Sequence, residues 1–246
     1  MANSNEKTYA LFSNLTNKKI ISELESRGTK VFQFPPVETV EIVPGEKSIA
    51  NIKNLKVFDW IIFPDVLTVD YFLQILEKYE VNLFEMDSVQ VCAFGEVVAD
   101  RLRFVQLHAD VIPTSVEAAS VFLALSDYVG EDELSDLKFL LPKEISQEYE
   151  IKRKLVESGA NVFELPVYQA QISRVNEITK LKALLKGGAI DEFIFSSATD
   201  LIALKCCFDN DSISRILSEI NISAVDKAIL QTLREYNLKA NYFQLK

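Results

Sequence analysis

Apolar positions along this chain follow two alternating rhythms. Short runs that are almost wholly apolar, such as Leu11-Phe12-Ser13, Val31-Phe32-Gln33-Phe34, Trp60-Ile61-Ile62-Phe63 and Val91-Cys92-Ala93-Phe94, have the length of strands. Runs of this kind predict strands buried on both faces. Between them the apolar residues recur at helical spacing, as in Ile20, Ile21 and Leu24, and Lys152, Leu155 and Val156 stand where a second such helix ends. Strands alternating with helices of about 10–15 residues predict parallel sheets covered on both sides.

The pattern repeats. Phe32, Phe34 and Pro35 return 131 residues later as Phe163, Leu165 and Pro166. Around them, residues 8–40 and 137–171 each read as strand, helix, glycine, strand. Gly28 and Gly159, also 131 apart, stand just past the helices, where a positive φ suits glycine alone. Residues 58–76 echo 191–208, and residues 89–113 echo 220–244. In the last pair Val91, Ala93, Leu102, Leu107 and Ala109 match Ile222, Ala224, Leu233, Leu238 and Ala240. One offset held over several segments marks a duplicated α/β unit. Helix starts are expected at Thr114-Ser-Val-Glu117 and Ser197-Ala-Thr-Asp200, which have capping-box spacing. The acidic stretch 127–136 between the copies reads as a solvated connector.

Composition narrows the function classes. At 246 residues, 48% apolar and 25% charged, the chain has material for one large domain or two small ones. A net charge of −10 argues against a nucleic-acid partner. The 7 glycines form no phosphate-binding loop. Three cysteines without a CxxC spacing suit a reduced, cytoplasmic protein. No apolar run has the length of a signal peptide or of a membrane span. The single histidine, His108, leaves no material for a histidine dyad or a multi-histidine metal site. Cys206 and Cys207 are expected to be buried on a helix.

In open parallel sheets, ligands bind beyond the carboxyl ends of the strands. Those ends are expected at Ser13-Asn14, Pro64-Asp65, Phe94-Gly95-Glu96, Leu141-Pro142-Lys143, Ser196-Ser197 and Val225-Asp226-Lys227. Two such domains facing each other would form a cleft.

The phrases ELPVY (164–168), DWIIF (59–63), VCAFGEVVADRL (91–102), LLPK (140–143) and FIFSSATDLIAL (193–204) occur in an order that resembles the uroporphyrinogen-III synthase family. The resemblance runs over residues 8–244. It implies two α/β domains, 1–36 plus 171–246 and 41–165, joined by linker strands 37–40 and 166–170. It implies a monomeric enzyme that takes hydroxymethylbilane, a linear tetrapyrrole, and closes it to uroporphyrinogen III with inversion of the last ring. No metal or organic cofactor is implied, and no nucleic-acid or membrane partner. Tyr168 falls on the family's tyrosine and would help the leaving hydroxyl depart. Its counterpart in the first copy is Val37. The plain alternative is a linker tyrosine that packs its ring and leaves its hydroxyl in water.

By the same resemblance, substrate carboxylates would be held by Ser13, by Phe94, Gly95 and Glu96, by Ser196 and Ser197, and by Asp226, Lys227 and Ala228. Lys143 would assist. Main-chain amides at the helix starts would carry much of this binding. The chain departs from the family at several of these places. Ser13-Asn14 replaces Thr-Arg, Pro64-Asp65 replaces Thr-Ser, and Lys143 replaces an arginine. Both Gly-x-x-Thr-Ala turns have lost their threonine. Asp65 would repel a substrate rich in carboxylates. A non-catalytic binding or regulatory protein that keeps the fold is therefore the second reading.

Overall fold

The computed structural model describes residues 7–13, 17–35, 37–172, 175–207, 215 and 217–244. Asn14 and Pro36 lie outside them, as do the side chains of Val37, Cys206 and Cys207. The chain divides into two compact units, Met1–Thr39 with Ala170–Lys246, and Val40–Gln169. Each holds one five-stranded sheet.

In the first unit the strands are β1 (Thr8–Phe12), β2 (Lys30–Phe34), β8 (Glu192–Phe195), β9 (Asn221–Ala224) and β10 (Ala240–Tyr242). They lie in the order β10-β9-β8-β1-β2, and the pairs are parallel. The path from β8 to β10 runs one way across the sheet, and that from β1 to β2 runs the other way. Right-handed crossovers then place α8 (Ala198–Cys207) and α9 (Lys227–Glu235) on one face and α1 (Lys18–Ser26) on the opposite face. The packing follows this rule. Phe12, Phe34, Phe193 and Phe195 meet Leu201, Leu204, Ile229 and Leu233 on one side. Leu11 and Ile194 meet Ile21 and Leu24 of α1 on the other. The helix α7 (Val175–Lys186) adds Leu181 and Leu185 to the first side.

The second sheet is made of β3 (Val37–Glu41), β4 (Trp60–Phe63), β5 (Gln90–Ala93), β6 (Lys138–Glu144) and β7 (Asn161–Ile172), in the order β3-β7-β6-β4-β5; β3 begins and β7 ends in residues of the first unit. Read from β5, the sheet repeats the first: β5, β4, β6 and β7 stand where β9, β8, β1 and β2 do. Even the three-residue β10 has a remnant, a single parallel bridge from Cys92 to Val111. Trp60, Ile62, Phe139 and Leu141 face α5 (Ala118–Val129) and α6 (Glu150–Glu157) through Val121, Leu125, Ile151 and Leu155. On the opposite face Phe63 meets Phe72 of α3 (Val66–Lys78) edge-on at 5.4 Å. The helices α2 (Glu46–Ile52) and α4 (Glu96–Phe104) complete the unit.

The two glycines close their helices alike. Gly28 has φ +74° and Gly159 has φ +90°. Thr29 N–H reaches back to Leu24 O, and Ala160 N–H to Leu155 O, the six-to-one bond of a Schellman ending.

Two expectations are corrected. Residues 114–117 do not start a helix: α5 begins at Ala118, and its N-cap Glu117 makes no side-chain cap bond. Glu117 N–H instead meets Ser115 Oγ at 3.3 Å in a short turn. The acidic stretch 127–136 is no free connector, because its Leu134 is fully buried in the core of the second unit. Tyr128, edge-on to Trp60 at 5.5 Å, and Val129 at the end of α5 pack against the same core.

Candidate active site

At the carboxyl edge of the second sheet two tyrosines meet one carboxylate, and each packs against a further aromatic ring. The β6–β7 ladder runs evenly from Lys138 opposite Asn161 to Lys143 opposite Pro166, then slips so that Glu144 faces Tyr168. Such an irregularity re-aims the side chains that follow it. Tyr168 is fully buried. Its ring stacks on Tyr71 of α3, with centroids 5.2 Å apart and planes 17° from parallel. Its hydroxyl donates to Asp65 Oδ2 at 3.3 Å. Tyr149, the N-cap of α6, donates to the same oxygen at the longer distance of 3.5 Å. The Tyr149 ring stands edge-on to Phe94 at 6.3 Å.

Asp65 is held by its own helix. It is the N-cap of α3, and its Oδ1 accepts from the Thr68 amide at 2.8 Å. The Thr68 hydroxyl completes a capping box. Asp65, expected to repel a substrate, accepts hydrogen bonds from the protein at both of its oxygens. The Asp-x-x-Thr spacing at 65–68 was legible as a cap. Tyr71 and Tyr149 carried no signal in the sequence, because only the fold brings them to this edge.

Lys143, expected to assist substrate binding, is turned inward toward the protein's own carboxylates. It is buried, and its Nζ lies 3.0 Å from Glu164 Oε1 and 3.6 Å from Glu148 Oε1. A buried ammonium needs a carboxylate beside it, and β7 supplies one. Lys152 holds the other Glu164 oxygen at 2.6 Å. Burial alone would raise the Glu164 pKa; the hydrogen bonds from Lys152 and Lys143 outweigh it and hold the carboxyl below its usual range. Gly95, at φ +87°, opens α4, and exposed Glu96 pairs with Arg103 on the same helix at 3.1 Å.

The first unit gathers the remaining candidates at the carboxyl edge of its own sheet. Ser13, Ser196-Ser197 and Asp226-Lys227-Ala228 follow the adjacent strands β1, β8 and β9. The Ser13 amide donates to Phe34 O at 2.6 Å. At the start of α8 one Asp200 oxygen accepts from the Ser196 amide at 2.7 Å, the Ser196 hydroxyl at 2.9 Å and the Ser197 amide at 3.0 Å. The Ser197 hydroxyl accepts from the Thr199 amide at 3.0 Å. The amides expected to receive a substrate carboxylate here already serve the protein's own. Burial pushes the Asp200 carboxyl up to about 6, against these hydrogen bonds. Asp226 caps α9 by accepting from the Ile229 amide at 2.8 Å; Asp226, Lys227 and Ala228 are exposed. Among the described residues no group of three or more metal-ligating side chains occurs, no helix is long and apolar enough to cross a membrane, and His108 is exposed.

Two duplicated, mainly parallel sheets, each with its candidate residues at the carboxyl edge, define the class of protein. A family model described as uroporphyrinogen-III synthase HemD matches residues 18–244, and the chain belongs to that family. The fold is similar to Thermus thermophilus uroporphyrinogen III synthase, with a TM-score of 0.68 and 17% identity over 96% of this chain and 92% of that one. A second crystal structure of the wild-type Thermus thermophilus enzyme gives 0.67 and 18% over 96% and 91%. Among curated proteins, the porphyrin biosynthesis protein HemD of Ruminiclostridium josui is 21% identical over 180 residues, 73% of this chain and 35% of that protein. This chain thus spans about a third of the length of that relative.

Proposed function

We propose that this chain is a uroporphyrinogen-III synthase, a cofactor-independent cytoplasmic lyase that converts hydroxymethylbilane to uroporphyrinogen III in porphyrin biosynthesis. The observation that carries this reading is the family match over residues 18–244, which includes the strand bearing Tyr168.

The reaction needs a hydroxyl to leave, a spiro intermediate to form at the last ring, and the macrocycle to close. Much of the barrier is the entropy of holding a flexible chain in a reactive shape. Proton donation by the Tyr168 phenol would let the hydroxyl leave as water. The proton lost from carbon at ring closure would restore the phenol. Tyr168 is covered in this structure, so the reading requires the packing over it to open; half-buried Tyr71, stacked on it, is the side chain that would give way. Substrate carboxylates would be received at Gly95-Glu96 and at 226–228.

A second reading, a non-catalytic binding protein on the same fold, is favoured by one specific set of contacts. Asp200 occupies the Ser196 and Ser197 amides, and Glu164 matches Lys143. The test is the isomer formed from hydroxymethylbilane. The linear substrate closes unaided to the type I isomer, so type III product above a no-protein control supports the synthase, and type I alone supports the second reading.

A further inference from the structure

We propose that the first unit carries a second binding site, a cavity for a small primary ammonium compound, on the sheet face that its copy in the second unit covers with a helix. The proposal goes beyond the synthase reading and does not depend on it. In the second unit α5 packs over four side chains of neighbouring strands: Trp60, Cys92, Phe139, and Val111 at the bridge beside β5. The strand pairings put Glu192, Ser223, Tyr9 and Asn241 at the same four places in the first unit. All four apolar positions have become side chains that hydrogen-bond. An apolar helix laid over Glu192 would bury its charge at a large cost, so this face is not a seat for a second α5. The same four residues line one cavity of about 420 Å³, a size that suits a small ligand. Glu192 and Asn221 open β8 and β9, so the cavity lies toward the amino edge of the sheet. Ser13, Ser196-Ser197 and Asp226 follow the opposite ends of the strands.

Glu192 selects the ligand. The Ser223 hydroxyl donates to its Oε1 at 2.6 Å and holds the carboxylate in place. Its Oε2 meets Lys7 Nζ at 3.3 Å. The two partners are unequally placed: the Glu192 side chain is 12% exposed and that of Lys7 is 57% exposed. An ion pair to so exposed a lysine is weak and exchangeable. The Lys7 ammonium therefore marks the place that a ligand's ammonium would take. The other cation on the cavity wall, Arg27, is already tied to Glu23 at 3.0 Å. A net charge of −10 also draws cations toward the protein. Tyr9 and Phe243, edge-on to one another at 6.4 Å, line the cavity and offer rings to an alkyl stem and to the charge it carries.

The experiment titrates n-butylamine, and butanoate as its anionic counterpart, into the wild type, Lys7→Met and Glu192→Gln at neutral pH. Backbone amide shifts at Ser223 and Asn241 report binding, and thermal unfolding reports the fold. Saturable shifts are expected with butylamine and none with butanoate. Lys7→Met removes the competing ammonium and should tighten butylamine binding by about threefold or more. Glu192→Gln keeps an acceptor for Ser223 but loses the charge, and should weaken binding by about tenfold or more. The opposite signs separate a site for ammonium from a plain surface ion pair. Because Lys7 is exposed, its variant decides the matter even if Glu192→Gln unfolds early. An affinity that is unchanged or weaker in Lys7→Met overturns the proposal. So does butanoate bound as well as butylamine, or the absence of saturable shifts in both the wild type and Lys7→Met.

Discussion

Asp200 closes the turn that Ser196 opens: the Ser196 amide and hydroxyl both donate to one Asp200 oxygen, at 2.7 and 2.9 Å. The carboxylate sits where an external anion would otherwise meet the start of α8, and it is 3% exposed. Such a group is a compromise. The three hydrogen bonds favour its charge, but burial disfavours it more and pushes its pKa up to about 6.

A stability effect follows. A carboxyl with a raised native pKa binds its proton in the folded state before it does so in the unfolded chain. Its contribution therefore favours folding as pH falls through 6 toward the unfolded value near 3.8. Between pH 7 and pH 5 the wild type should gain about 1–2 kcal/mol from this group relative to Asp200→Asn, which has no proton to take up. Thermal unfolding of both proteins over that range checks it. Parallel curves would show that Asp200 titrates normally.

Tyr168→Phe removes one hydrogen bond from a fully buried ring and leaves the ring in place. The stability cost should be about 1 kcal/mol, while type III formation should fall by about a hundredfold or more if the phenol is the proton donor. Tyr168→Ala should cost about 3–5 kcal/mol, because it opens a cavity beside Tyr71. Denaturant titration with initial-rate assays separates the two effects.

The buried ion pair of the second sheet gives an ordered prediction. Glu164→Gln leaves buried Lys143 facing only the exposed Glu148 at 3.6 Å, and should cost about 3 kcal/mol or more. Lys152→Met removes the half-exposed partner and should cost under about 1 kcal/mol. Unfolding free energies in denaturant test the order, and equal losses would contradict it.

The repeated glycines are equivalent in backbone but not in surroundings. A Cβ at Gly28 would meet nothing within 4 Å, whereas one at Gly159 would lie 2.8 Å from Ser135 Oγ. Gly28→Ala should cost about 1 kcal/mol for its positive φ alone, and Gly159→Ala should cost more. Comparing the two melting temperatures decides it.

The strands, the duplication and the glycine endings were legible in the sequence because each depends on local pattern. Apolar runs mark buried strands, and one offset carries both copies. The candidate site was legible only in outline. Tyr168 was found through its phrase ELPVY, but the partner that holds it lies 103 residues away in sequence. Asp65 read as a charge hostile to the substrate, because sequence shows a carboxylate's sign and not its partners. Lys143 showed its charge but not its partner: Glu164, on the next strand, becomes its neighbour only through the β6–β7 ladder. Asp200 read as part of a helix cap, and that is half of what it does; its occupation of the amides offered to a ligand needed coordinates.

The most direct test of the account is the ratio of type III to type I isomer formed from fresh hydroxymethylbilane, measured side by side for the wild type, Tyr168→Phe and a no-protein control. The account predicts predominantly type III from the wild type and a large shift toward type I in the variant. A wild-type ratio equal to that of the control would contradict it, and the fold would then serve binding alone.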